Sequence, residues 1–239
     1  MPERVFDTSV DTELLTGMRL ARAAIGRGAL VVLPTDTVYG IAADAFNPAA
    51  VQRLLDAKGR GRTSPPPVLI PGIPTLDALA ETVPDAVRAL VAAFWPGGLT
   101  LILPAQPSLV WDLGETRGTV ALRMPANTVA LELLRETGPL AVSSANLTGE
   151  PSALDARSAQ AMLGDAVEIY LDGGSTGRDY GTEGVATAAS GSTIVDATDL
   201  AAGTGGLRIV RQGVITREAI ADVVGDTLAP AEAEVADPA

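Results

Sequence analysis

Three cations stand within five residues at Lys58-Gly59-Arg60-Gly61-Arg62. The glycines between them would let the backbone approach a polyphosphate closely. Like charges this dense need an anion or solvent. The segment is therefore either an anion site or a solvated loop whose cations complement a helix C-terminus. It is not a P-loop, because no G-x-x-x-x-G-K-[ST] run is present. Lys58 is the only lysine among 17 basic residues. Every other cation is a planar fork, so one compact point charge on a flexible stem calls for a particular duty or for chance retention. On a glycine-rich loop it would be removable at little cost to the fold.

Two further segments could hold a small polar molecule. Pro34-Thr35-Asp36-Thr37-Val38-Tyr39-Gly40 follows a short buried strand, the place where open α/β sheets put ligands. It could also be a plain turn. The run LAVSSANLTGEPS, 140–152, ends a small-residue strand in Ser143, Ser144 and Asn146, with Thr148 and Ser152 behind. It offers hydroxyl, amide and backbone donors without bulk, or forms an Asn-stabilised turn. Arg123 and Arg211 each sit at a strand end. There a guanidinium can clamp a carboxylate or phosphate bidentately, or pair with a surface acid.

The chain of 239 residues has no His and no Cys. That excludes a Ser-His-Asp triad, a thiol nucleophile and a Cys/His zinc site. What remains is chemistry run by positioning and charge neutralisation, with an oxygen-ligated metal such as Mg²⁺ as a compatible partner. Phosphoryl and nucleotidyl transfer lead that class. The net charge of −12 argues against a nucleic-acid-coating surface but leaves room for a small basic pocket. No apolar run nears the roughly 20 residues of a membrane span, and the acidic start MPERVFDTSVDTE lacks a signal-peptide layout. A soluble, cytoplasmic protein that does not bind membranes is expected.

Periodicity supplies the elements that must position these groups. Helices are expected over 11–26, 49–57, 75–94 with a break near Pro84, 128–137, 155–163 and from 216 or 217 onward. Strands are expected at 29–33, 68–70, 99–103, 119–122, 140–143, 167–171, 193–195 and 207–210. Short apolar strands mixed with amphipathic helices indicate an α/β fold with a mixed parallel and antiparallel sheet and flanking helices. Gly173 to Gly191 is polar and aperiodic, so a long exposed loop is expected there. Residues 1–225 read as one domain, and 226–239 as an acidic, disordered and dispensable tail.

In order along the chain stand PTDTVYG, KGR at 58–60, RMP at 123–125, SANLTGEPS, DGG at 172–174, STIVD at 192–196, and Arg211 with Gln212-Gly213. Together they resemble the YrdC-like (TsaC-type) family of threonylcarbamoyl-AMP synthases over residues 34 to 213. The resemblance implies a twisted mixed sheet around a concave positive cavity. It implies a nucleotidyltransferase that makes threonylcarbamoyl-AMP and pyrophosphate from L-threonine, bicarbonate and ATP, with Mg²⁺ accompanying the ATP. Lys58 and Arg60 would face the phosphates as catalytic cations. Ser144, Ser152 and Arg211 would line the nucleotide, with Thr119 beside it and Asn146 ordering the same motif. Thr37, Arg123, Ser192 and the Val142 backbone would surround threonine. The product would feed N6-threonylcarbamoyladenosine formation on tRNA through separate partner proteins, with little or no tRNA binding by this chain.

Three departures from the family pattern matter. Family members often carry a His soon after the basic loop, where this chain reads Pro67-Val68-Leu69-Ile70-Pro71, so the threonine pocket must close differently. The 173–191 loop is long for the family. Longer relatives carry an extra C-terminal domain, so a single-domain form is expected. Competing readings are an RNA-binding module using the same cavity and a paralogue that kept the fold without the activity. A carbamoyl-transfer maturation enzyme would need further domains with Cys-rich zinc elements, which a Cys-free chain does not supply.

Overall fold

The structure, a computed structural model, describes residues 4–177, 180 and 191–230. Elements follow in the order β1 (Val5–Asp7), α1 (Asp11–Gly26), β2 (Val31–Leu33), β3 (Gly40–Asp44), α2 (Pro48–Ala57), β4 (Val68–Leu69), α3 (Ile73–Leu79) and α4 (Asp85–Phe94). Then come β5 (Leu99–Pro104), β6 (Thr119–Arg123), α5 (Thr128–Thr137), β7 (Leu140–Ser144), α6 (Ala156–Leu163), β8 (Ile169–Asp172), β9 (Thr193–Asp196), α7 (Thr198–Ala201), β10 (Arg208–Arg211) and α8 (Arg217–Val224). Local chemistry sets the helix starts. Asn47, Asn127, Asp155 and Thr216 cap α2, α5, α6 and α8, each side chain accepting the N–H three residues on.

Among the described residues the strands form one sheet in the order β1-β8-β2-β3-β7-β4-β6-β5-β9-β10. The pairs β1–β8, β2–β8, β4–β6 and β5–β9 are parallel, and the rest antiparallel, as a mixed sheet requires. Alternation of side chains assigns its faces. Val31 and Leu33 of β2 join Ala42 of β3 in a core with α1 and α5, while Val32 joins Ile41 and Ala43 in a core with α2 and α6. That half of the sheet is sandwiched. The other half, β4-β6-β5-β9, packs one face on α3, α4 and α8 through Val68, Leu101, Leu122 and Val195.

Two differences from the sequence expectation concern elements. The three-residue β1 and four-residue α7 are too short to show a period, and β1 owes its form to pairing with β8. The tail begins later than residue 226. Gly225–Thr227 make a 3₁₀ turn, Ala229 N–H donates to Leu207 O at 2.8 Å, and Leu228 is buried in the core with Leu207 and Ile220. Residues 231–239, the rest of the expected tail, lie outside the described residues. Among the described residues no helix is long and apolar enough to cross a membrane.

Candidate active site

The uncovered face of the β4-β6-β5-β9 half makes the site. Leu99, Leu101 and Leu103 of β5 enter the core, so Thr100 and Ile102 point the other way. By the same alternation Thr119, Ala121 and Arg123 of β6, Leu69 of β4 and Ile194 of β9 face out while Val120, Leu122, Val68 and Val195 face in. These outward residues floor a cavity of about 380 Å³. Its walls come from the turn before β3, the loop after α2, the end of β7 and the β9–β10 connection.

The Pro34–Gly40 segment is more than a plain turn. Thr35 Oγ1 donates to Val38 O at 2.6 Å and accepts the Thr37 and Val38 N–H groups, a side-chain-built turn. Tyr39 exchanges backbone bonds with the serine-rich loop, its N–H to Ala153 O and its O from Ala145 N–H. A Cβ on Gly40 would sit 2.6 Å from Val142 Cγ1, so only glycine lets β3 pass β7 this closely.

Among the described residues three guanidiniums reach the cavity. Arg123, 6% exposed, donates from Nε to Gly97 O at 2.9 Å and from Nη1 to Thr37 Oγ1 at 3.0 Å. Its Nη2 lies 2.8 Å from Asp36 Oδ1, an ion pair by distance, yet among the described residues the atom has no hydrogen-bond partner. A buried donor left in that state suits a ligand acceptor. Arg211 donates from Nη2 to Ser192 O at 2.7 Å and Oγ at 3.1 Å, and Ser192 Oγ sits 2.7 Å from Thr100 Oγ1. A register shift between Ile209 and Arg211 in β10 re-aims Arg211 toward the cavity. Arg60 reaches Ser143 Oγ at 3.4 Å. No carboxylate lines the cavity among the described residues. Burial, then the like charges of Arg123 and Arg60, pull the Arg211 guanidinium below its ordinary value. The cluster is built to be neutralised by an anion.

The basic loop therefore splits three ways. Arg60 enters the cavity. Arg62 pairs with Asp112 at 2.6 Å on the surface, as the solvated-loop alternative had it. Lys58 does neither. It is 1% exposed and absent from the cavity wall, and its ammonium donates to Ser144 O, to Asn146 O at 2.6 Å and to Asn146 Oδ1 at 3.4 Å. Lys58 O in turn accepts from the Thr148 N–H and hydroxyl. The lysine sits inside the fold as a latch between α2 and the serine-rich loop, not as a point charge on an exposed loop and not facing the cavity. Burial, and then the Arg60 charge, bring its ammonium down to about 8.

Of the expected site residues, Thr37, Arg60, Thr119, Arg123, Val142, Ser144, Ser152, Ser192 and Arg211 line this one cavity. Asn146 stands behind it, donating to Leu147 O and Glu150 O and so ordering its loop. Sequence reasoning passed over Thr100 and Leu69. Thr100 had a signal, a lone hydroxyl in the run Leu-Thr-Leu-Ile-Leu. Leu69 had none beyond its strand phase, and its apolar side chain lies where the cavity meets β4.

Fold and site together define an α/β domain with a cation- and hydroxyl-lined cavity on one face of a mixed sheet. The chain belongs to the Sua5/YciO/YrdC family, whose model, described as telomere recombination, matches residues 23–213. A Mycobacterium tuberculosis protein named "Putative threonylcarbamoyl-AMP synthase" is 48% identical over 220 residues, 92% of this chain and 94% of that one. The threonylcarbamoyl-AMP synthase of Bacillus subtilis is 39% identical over 209 residues, 86% of this chain and 56% of its own length. The crystal structure of Pyrococcus abyssi Sua5 complexed with L-threonine superposes with a TM-score of 0.80 at 31% identity, covering 93% of this chain and 60% of that one.

Proposed function

We propose that the chain is a cytoplasmic L-threonylcarbamoyladenylate synthase, acting on L-threonine, bicarbonate and ATP in the pathway of tRNA threonylcarbamoyladenosine modification, with partner proteins completing the transfer to tRNA. The observation that carries this is the convergence of Arg60, Arg123 and Arg211 on one hydroxyl-lined cavity without a carboxylate among the described residues, in a chain of net charge −12. The relatives' names and the threonine-bound relative favour the same reaction.

In this reading the amine of threonine condenses with bicarbonate to a carbamate, releasing water. A carbamate oxygen attacks the α-phosphorus of ATP, the bond from that phosphorus to the bridging oxygen breaks, and pyrophosphate leaves. Arg60 and Arg211 hold the phosphates, with Ser144, Ser152 and Thr119 around the nucleotide. Arg123, Thr37, Ser192 and the Val142 backbone hold threonine. Such catalysis is positioning plus charge neutralisation and needs no His or Cys. Mg²⁺ would enter as the metal nucleotide: among the described residues the wall offers guanidiniums and hydroxyls, which suit phosphate oxygens, and no carboxylates for the ion itself. The test is pyrophosphate release from ATP with each component omitted in turn. Release should require both threonine and bicarbonate. Equal turnover with serine, or turnover without an amino acid, sinks the assignment.

A further inference from the structure

Tyr180 belongs to the polar stretch of sequence after β8 and does not line the cavity. Its hydroxyl nonetheless donates a 2.6 Å hydrogen bond to Asp36 Oδ2. The other carboxylate oxygen, Oδ1, accepts the Ala126 N–H at 2.9 Å and faces Arg123 Nη2 at 2.8 Å. Asp36 is 7% exposed, so an oxygen that loses its donor gains little from water. The phenol also fits a slot made by two glycines. A Cβ on Gly98 would lie 3.0 Å from the Tyr180 hydroxyl, and one on Gly97 3.4 Å from it. Gly97 O is the acceptor that holds Arg123 Nε. Tyr180 thus bonds one support of the Arg123 guanidinium, Asp36, and lies beside a second, Gly97.

We infer that Tyr180 is a positioning residue for the amino-acid end of the site: through Asp36 it fixes Arg123 as the clamp for the substrate's α-carboxylate. This rests on the role proposed for Arg123 above. The direction of the bond follows from both partners. Burial and the Asp36 charge push the Tyr180 hydroxyl well above its ordinary value. Burial alone would raise Asp36, but the Arg123 charge and the bonds from Tyr180 and Ala126 outweigh it and hold the carboxyl below the usual range. The proton stays on the phenol, and Asp36 stays charged against Arg123. Among the described residues Tyr180 is the hydrogen-bond donor to Oδ2, so its loss frees the carboxylate to turn away from the guanidinium.

Tyr180→Phe removes one hydroxyl and keeps the ring in its slot. The threonine KM should rise about five- to tenfold, as befits one charge-assisted hydrogen bond, while the ATP KM stays within about twofold. A threonine KM within twofold of wild type, or an equal rise in both constants, overturns the inference. A second readout does not depend on turnover: exchange of the Arg123 Nε proton with solvent, followed by ¹⁵N NMR, should quicken at least about fivefold in the variant. Unchanged exchange overturns the positioning role. Wild-type protein without threonine-dependent turnover would instead defeat the proposed reaction, and the exchange experiment would still decide on Tyr180.

Discussion

An ammonium whose three N–H groups face three carbonyl oxygens has no donor left for a phosphate. That is the state of Lys58, with Ser144 O, Asn146 O and Asn146 Oδ1 around it. Under the proposed function its contribution to turnover would be to hold the serine-rich loop so that Ser144 and Ser152 can meet the nucleotide. This role has a pH signature. An unfolded lysine titrates near 10.4, whereas the folded Lys58 titrates at about 8. Between those values the unfolded chain binds more protons, so the stability linked to this group rises with pH. Turnover should move the other way. Above about pH 8 the neutral amine has two N–H groups for three acceptors, and the latch slackens. Turnover and Tm measured side by side from pH 7 to 10 should diverge; a parallel fall in both would refute the latch. Lys58→Met, close in volume, should lose activity at every pH and cost about 1–3 kcal/mol of stability for the stranded carbonyls.

Elements owe their positions to different amounts of chain, and this decides what could be read in advance. The start of α2 was legible in Asn47-Pro48, and the span of α5 in the apolar period over 128–137, because such signals act within one turn. The cavity floor was half legible: strand phase separates Thr100 from Leu99 and Leu101 once the core face is known. The direction of Lys58 was not, because spacing along the chain does not say which side of a helix end a flexible stem takes. Nor was Tyr180, a lone aromatic in a polar aperiodic stretch. The end of the domain was misplaced because Leu228 is a single apolar residue, and its burial depends on Leu207 twenty-one positions earlier. It follows that Leu228→Ala should cost about 2–4 kcal/mol in denaturant unfolding, while the exposed Asp226→Ala should shift stability by less than about 0.5 kcal/mol. Equal, negligible effects would mean that this segment does not close the core.

Over the whole molecule, charge and architecture are arranged in opposite senses. The net charge is −12, yet the cavity wall carries three guanidiniums and no carboxylate among the described residues. Outside it, Arg4, Arg22, Arg27, Arg62, Arg88 and Arg208 are matched with surface acids. A long polyanion would meet the net negative charge beyond the pocket, whereas the cation-lined pocket has room for a small anion. Filter binding with tRNA at about 0.15 M salt should show no saturable retention below about 100 µM, the weak end of the usual non-specific range. Sub-micromolar retention would restore the RNA-binding reading. The register shift in β10 has a consequence of another kind. Among the described residues this strand ends the sheet, where a row of unpaired backbone groups invites a neighbouring molecule to add a strand. With Arg208 exposed and the ladder broken before Arg211, that row is charged and irregular. The bend that delivers a guanidinium to the cavity thereby also protects the protein from edge-to-edge aggregation.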